Sequence, residues 1–171
     1  MSFDLKMSRL FLVGLLTAML AACSSADVAS IDPASQEQIR SVKVSKVTVA
    51  LDIPQPNPHL AATLTQHLRD AMPKCATGPV DHLMHVRVTN FKAQNVAKSI
   101  LIGDDIELAG RVSFATEKEG EKAGEYFVKR NFFWGGIVGA AMMSDAEKQL
   151  SEGFAESVCK EVFGVEIKAA S

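Results

Sequence analysis

The sequence predicts an α+β domain: a four-stranded sheet with two helices packed on one face, in the order β-α-β-β-β-α, after a signal peptide and a flexible tether. Two patterns support this fold. Apolar residues alternate with polar ones in four segments, which is typical of half-buried strands. Apolar residues recur every four positions in two other segments, which is typical of helices with one buried side. Two such helices can cover one face of a small sheet.

Composition limits the possible classes of function. The chain has 171 residues, of which 47% are hydrophobic and 22% are charged, and its net charge is −2. These values are typical of a globular protein rather than a disordered one. A nucleic-acid-binding protein is not expected, because the chain has no excess of Lys and Arg to neutralise phosphates. The length suits a single domain.

The first 22 residues have the pattern of a signal peptide. Lys6 and Arg9 form a basic start, an apolar run covers residues 10–20, and small residues precede Cys23. The run is too short to remain as a membrane span, for which about 20 apolar residues are needed. We therefore expect residues 1–22 to be removed, which leaves a chain with a net charge of −3.

Leu20-Ala21-Ala22-Cys23 resembles the lipobox of bacterial lipoproteins, in which Leu and two small residues precede a Cys. The resemblance implies that Cys23 carries a diacylglycerol on its sulfur and an acyl chain on its new amino group. Several acyl chains make a durable membrane anchor. In Gram-negative lipoproteins the residue after the Cys biases sorting, and Ser24 in place of Asp implies the outer membrane. The alternative is an ordinary signal peptide with a chance Cys near the cut.

The predicted organisation has three parts: the signal peptide (1–22), the lipidated Cys with a flexible tether (23–40), and a periplasmic α+β domain (41–171). The tether is assigned because its residues are small and polar and show no periodic apolar face.

The first strand is expected at 42–52, with a bulge at 45–46 where the alternation slips. Asn57 followed by Pro58 predicts the start of the first helix, and Pro73 is expected to end it. The apolar stripe of this helix consists of Leu60, Leu64, Leu68 and Met72.

Three further strands are expected at 82–91, 105–115 and 125–133, and the last two form a hairpin. A capping box at Ser144–Glu147 predicts the start of the second helix, and Gly164 is expected to close it. The element order resembles that of several periplasmic components, including the lipopolysaccharide-assembly lipoprotein and the amino-terminal domain of the Tol translocation protein. The residues after Cys23 lack the Gly and aromatic usual in the first of these families.

Cys75 and Cys159 are expected to form a disulfide, because the periplasm is oxidising. The predicted topology also brings both residues to the same end of the sheet. Two buried free thiols are the alternative. A catalytic thiol is not expected, because neither Cys belongs to a Cys-x-x-Cys pair or lies beside a basic cluster.

No pattern in the sequence indicates catalysis, a metal site or a cofactor. His82 and His85 lie three residues apart on a strand and would point to opposite faces. Asp81, Asp104 and Asp105 lie near strand starts, where Asp usually serves a turn. We therefore expect no catalytic residue, no metal ligand and no cofactor.

Two connections are unusually apolar. Residues 134–143 are rich in Gly yet hydrophobic and contain the only Trp, and residues 99–103 form a second apolar run. A right-handed crossover would bring both connections to one end of the sheet, opposite the end where the tether enters. We predict a partner-binding surface there, since exposed apolar surface often marks an interaction site. Its residues would be Ile100, Leu101, Ile102, Trp134, Ile137 and Val138. The alternative is that these loops fold over the core.

The predicted function is non-enzymatic binding or scaffolding in cell-envelope assembly or maintenance. The protein would be held in the outer membrane by its lipid anchor, would face the periplasm, and would bind an envelope protein but no nucleic acid. One alternative is a lipid- or lipopolysaccharide-handling module, which needs an apolar cavity with a basic rim. Another is a peptidoglycan hydrolase, which needs paired carboxylates or a metal in a cleft.

Overall fold

A computed structural model describes residues 24–93, 104–118, 120–134 and 145–167. The strands are β1 (Ser24–Asp32), β2 (Val42–Leu51), β3 (Val80–Lys92), β4 (Asp104–Thr116) and β5 (Lys122–Trp134). The helices are α1 (Gln36–Ser41), α2 (Pro58–Cys75) and α3 (Ala146–Ser157), and α3 continues as a π-helical turn, Val158–Val162. Within these ranges no helix combines the length and the apolar character that crossing a membrane requires.

The five strands form one sheet in the order β1-β5-β4-β3-β2. Neighbouring strands are antiparallel except β2 and β3, which are parallel and joined through α2. Helices α2 and α3 pack on each other, α2 also packs on β2, and α3 on β4 and β5. The buried core fills the space between these helices and one face of the sheet. Arg87 and Arg111 lie on the other face, whereas Arg130 and the buried His82 lie on the face that the helices cover.

The prediction of four strands and two helices is wrong. The predicted tether, residues 23–40, includes the edge strand β1 and all of the short helix α1 except its last residue, Ser41. β1 has little alternation because its side chains are small, and Val28 is its contact with the core. The segment is a strand because its backbone pairs with β5 from Ser24↔Phe132 to Asp32↔Glu125. Such pairing depends on a partner strand about 100 residues away in the sequence, so no local sequence pattern predicts it.

Helix α1 did have a local signal that the prediction missed. The Ser35 side chain accepts a hydrogen bond from the Gln38 backbone N–H at 3.1 Å, and the Ser35 N–H donates to Gln38 Oε1 at 2.8 Å. This is a capping box, recognisable as Ser-x-x-Gln before the apolar Ile39.

The other four strands begin and end within three residues of their predicted bounds. The predicted bulge in β2 is confirmed, because the pairing with β3 shifts between Val44 and Lys46. The alternation in β3 is confirmed as well: Met84, Val86 and Val88 are buried, whereas their neighbours His85 and Arg87 are exposed.

Helix α2 begins as predicted, because the Asn57 side chain accepts a hydrogen bond from the His59 backbone N–H at 3.0 Å. It does not end at Pro73, however, but continues to Cys75. Proline costs one backbone hydrogen bond and disfavours the helical conformation of the residue before it. Here burial of Met72 and Cys75 in the core offsets that cost.

The second predicted helix corresponds to α3. Its predicted cap, Ser144, lies outside the described residues, and Glu147 bonds to side chains of α2 and its cap instead. Gly164 follows the π-helical turn with φ +70°, a left-handed conformation that suits glycine and closes the helix as predicted.

Candidate functional site

One end of the sheet brings together the start of β1, the start of β4 and the end of β5. Ser24 pairs with Phe132, and Asp104 pairs with Trp134. Lys92, the last residue of β3, pairs with Glu107 near the start of β4. We call this the Ser24 end.

Both long helices begin at the Ser24 end. Asn57 Nδ2 donates a hydrogen bond to Glu147 Oε1 at 2.7 Å, and His59 Nδ1 lies 2.9 Å from Glu147 Oε2. These contacts join the first turn of α2 and its cap to the first turn of α3. The strands and the helices therefore run between the Ser24 end and the opposite end of the domain.

Basic side chains at the Ser24 end have acidic or aromatic neighbours. Lys92 pairs with Asp105, and Lys129 Nζ lies 2.9 Å from Glu107 Oε2. The hydrogen bond to Glu107 and the charge of its carboxylate raise the pKa of Lys129. The guanidinium carbon of Arg130 lies 5.0 Å from the centre of the Phe132 ring, a cation–π distance. Neighbouring carboxylates therefore compensate the positive charge of both lysines at this end.

The face of the sheet away from α2 and α3 holds an open groove of about 740 Å³. Its charged and titratable lining consists of Asp52, His85, Arg87, Arg111, Lys122 and Glu125. The groove crosses the middle of β3 and β4, and its two sides are the end of β2 and the start of β5.

Two arginines in this groove lie directly opposite each other. Arg87 of β3 is the cross-strand partner of Arg111 of β4, and like charges in that arrangement repel. Asp52 lies 3.8 Å from Arg87 and Glu125 lies 3.8 Å from Arg111, while Lys122 is 3.2 Å from Glu125. Three cations thus share two carboxylates, and the excess positive charge suits an anionic group.

A disulfide joins Cys75 to Cys159, with 5.5 Å between their Cα atoms. It links the last residue of α2 to the π-helical turn after α3, and both residues are buried. Since α2 starts at the Ser24 end, the disulfide lies towards the opposite end of the sheet. Its burial and position suit a structural role.

The other residues predicted as sites are largely outside the described part of the chain. Cys23 lies outside it, as do Ile100, Leu101, Ile102, Ile137 and Val138. Trp134 is the last residue of β5. Residues 94–103 connect β3 to β4, and residues 135–144 connect β5 to α3, so both connections leave and re-enter the fold at the Ser24 end. The described strand ends agree with the prediction that they share one end.

The position of the amino terminus relative to these connections differs from the sequence-based expectation. Entry at the opposite end was expected, because the chain was predicted to enter the sheet at residue 42. Since β1 precedes it and runs antiparallel to β5, the first described residue, Ser24, lies at the same end as the connections.

In the described ranges, no three His, Cys, Asp or Glu residues lie close enough together to hold a metal ion. His82 is buried, and its Nδ1 is 2.8 Å from the carbonyl oxygen of Val80. His85 Nδ1 is 2.8 Å from Thr48 Oγ1. Each of these rings therefore has a hydrogen-bond partner within the protein.

Comparisons with known proteins leave the family open. No family model matches the chain, and no curated protein matches it. Among solved structures, the PelC dodecamer from Paraburkholderia phytofirmans is 13% identical, with a TM-score of 0.43 over 77% of this chain and 95% of that one. A minor lipoprotein from Acinetobacter baumannii is 13% identical, with a TM-score of 0.35 over 70% of this chain and 92% of that one. Likenesses this distant carry no argument about function.

Proposed function

We propose that this chain is an acylated outer-membrane lipoprotein whose periplasm-facing domain binds an acidic segment of an envelope partner without catalysing a reaction. The observation that carries the binding role is the facing pair Arg87 and Arg111 in an open groove. The lipobox-like sequence Leu20–Cys23 is the observation that supports the lipid anchor.

The anchor is supported by chemistry that the sequence makes available. Acyl chains on Cys23 would hold the protein at a membrane durably, because two or more chains resist dissociation. Ser24 in place of Asp favours the outer membrane by resemblance to sorted lipoproteins. Ser24, the first described residue, already belongs to strand β1, so the domain would lie close to the lipid.

The groove supports a binding role because its charges are incompletely compensated. A carboxylate placed between Arg87 and Arg111 would relieve their mutual repulsion, and guanidinium groups bind carboxylates through paired hydrogen bonds. The two native ion pairs are long at 3.8 Å, and both arginines are more than half exposed. Pairs of this kind contribute little to stability, so a competing acidic segment could displace them.

The groove does not favour the two alternative functions. A lipid-handling module needs an enclosed apolar cavity, whereas this groove is open and lined by charged side chains. A hydrolase needs a carboxylate that is available for proton transfer. The carboxylates here, Asp52 and Glu125, instead face arginines.

The anchor is tested by intact-mass analysis of protein extracted from membranes. We expect a chain that begins at Cys23 and carries acyl additions, and we expect Cys23→Ala to lack them. Ser24→Asp should move the protein from the outer to the inner membrane fraction, while the matched control Ser24→Ala should leave it in place. An unacylated, processed and soluble wild-type product would refute the anchor.

The groove is tested by charge reversal. Arg87→Glu and Arg111→Glu should each reduce capture of envelope partners after cross-linking in intact membranes, by about tenfold if the contact is worth about 1.4 kcal/mol. Lys43→Glu is the matched control, because Lys43 is an exposed cation that bonds Asp81 outside the groove. If both arginine variants unfold at the wild-type temperature and capture as much partner as the wild type does, the binding surface lies elsewhere.

A further inference from the structure

We infer that the Ser24 end of the domain lies against the lipid bilayer, so that the strands stand upright on the membrane. This inference rests on the proposed anchor at Cys23 and adds which surface of the domain contacts lipid. It departs from the sequence-based expectation, in which the apolar connections bound a protein partner away from the membrane.

The link between the proposed lipid anchor and the folded domain is short. Ser24 is already paired with Phe132, so one peptide bond separates the predicted acylated residue from the sheet. Consecutive Cα atoms are about 3.8 Å apart. The polar layer on each side of the hydrocarbon is only about 5–7 Å thick. A domain attached this closely cannot turn its Ser24 end away from the bilayer while β1 stays paired.

The ends of the neighbouring strands lie beside the start of β1 in the sheet. β5 is adjacent to β1, and β4 is adjacent to β5. Strands in a sheet are about 4.8 Å apart, so Asp104 lies within about 10 Å of the anchored strand across the sheet. The described residues at this end, including Lys92 and Phe132, would therefore reach the same interfacial layer.

The charges at the Ser24 end affect which lipids it would contact. Lys92 and Lys129 at this end already pair with Asp105 and Glu107, so attraction to anionic lipid would be weak. Trp134 ends β5 here, and Trp is enriched at membrane–water interfaces. The contact should therefore depend little on anionic headgroups.

The test uses acylated full-length protein in phosphatidylcholine vesicles with brominated or unbrominated acyl chains, since bromine quenches nearby tryptophan. Trp134 is the only tryptophan, so its loss of fluorescence in brominated vesicles reports the position of the Ser24 end. Replacing part of the phosphatidylcholine with phosphatidylglycerol should leave the quenching unchanged.

Two matched variants place the probe on described, exposed residues in a Trp134→Phe background. Ala93→Trp lies just beyond β3 at the Ser24 end, and Lys118→Trp lies in the turn between β4 and β5 at the opposite end. We expect loss of fluorescence for Ala93→Trp and none for Lys118→Trp. Equal signals from vesicle-bound protein would overturn the orientation. Wild-type protein that fails to float with vesicles would instead refute the anchor itself.

Discussion

The disulfide between Cys75 and Cys159 should provide a large part of the stability of the domain. It closes a loop with a sequence separation of 84 residues. In the chain-entropy model, a loop of this length restricts the unfolded chain enough to contribute ~4.5 kcal/mol. Domains of this size are stable by only about 5–15 kcal/mol in total. Loss of the bond should therefore leave a domain that is marginally folded.

Two perturbations separate the cross-link from the packing of its sulfur atoms. Reduction of the wild type removes the bond but keeps both buried sulfurs. Cys75→Ala with Cys159→Ala removes the bond and also leaves a cavity beside the core. We expect reduction to cost ~4.5 kcal/mol, which lowers the melting temperature by roughly 10–18 °C. The double variant should lose more than the reduced protein, because cavities in a core are destabilising.

Urea unfolding of a secreted form without the lipid, followed by circular dichroism with and without reductant, measures these costs. Non-reducing peptide mapping of the same material establishes the bond. A change below about 1 kcal/mol on full reduction would show that the loop-closure reasoning is wrong for this fold. Two free thiols in protein from an oxidising periplasm would show that the disulfide, on which this prediction depends, does not form.

Two further predictions concern single residues. Burial, and to a lesser extent the charge of Asp32, raise the pKa of Tyr126 above 10.0, so ultraviolet titration of this tyrosine, the only one in the sequence, should show a higher midpoint in the folded protein than in urea. Because the folded-state pKa is raised, the linked stability is present below pH 10 and is lost as the pH rises through the folded value. A folded-state midpoint at or below the midpoint in urea would contradict this prediction. Gly110→Ala should destabilise the domain by about 1–3 kcal/mol in urea unfolding, because the added Cβ would lie 2.7 Å from the carbonyl oxygen of Arg87. Ser113→Ala on the same strand is the control, and equal stability of the two variants would show that β3 and β4 move apart at this point without cost.

Sequence patterns predicted the elements whose signals are local. Helix α2 combined a capping Asn57, a Pro58 in the first turn and an apolar residue every fourth position, and each signal indicates a helix independently. Strands β3 and β4 alternate cleanly because one face is buried and the other is open. The crossover assumed in the sequence analysis requires the strands on either side of the first helix to be parallel, and β2 and β3 are parallel.

The elements that were missed depend on distant parts of the chain. β1 has few apolar side chains, and its stability comes from backbone pairing with β5. Helix α2 continues past Pro73 because tertiary burial of Cys75 outweighs a local preference to stop. The groove was also missed, because the sequence pattern within one strand does not show that Arg87 and Arg111 lie opposite each other. Their juxtaposition depends on the register between β3 and β4, which shifts at a bulge between Val88 and Asn90.

The position of β1 also determines how far the proposed groove stands from the membrane. Arg111 lies seven residues along β4 from Asp104 at the Ser24 end, which corresponds to about 23 Å at about 3.3 Å per residue. Fixed charges in physiological salt are screened over about 8 Å. Anionic lipid headgroups would therefore compete weakly for Arg87 and Arg111, and the groove would remain open to a partner in the periplasm. A partner anchored in the same membrane would need an acidic segment that reaches about 20 Å above the lipid surface.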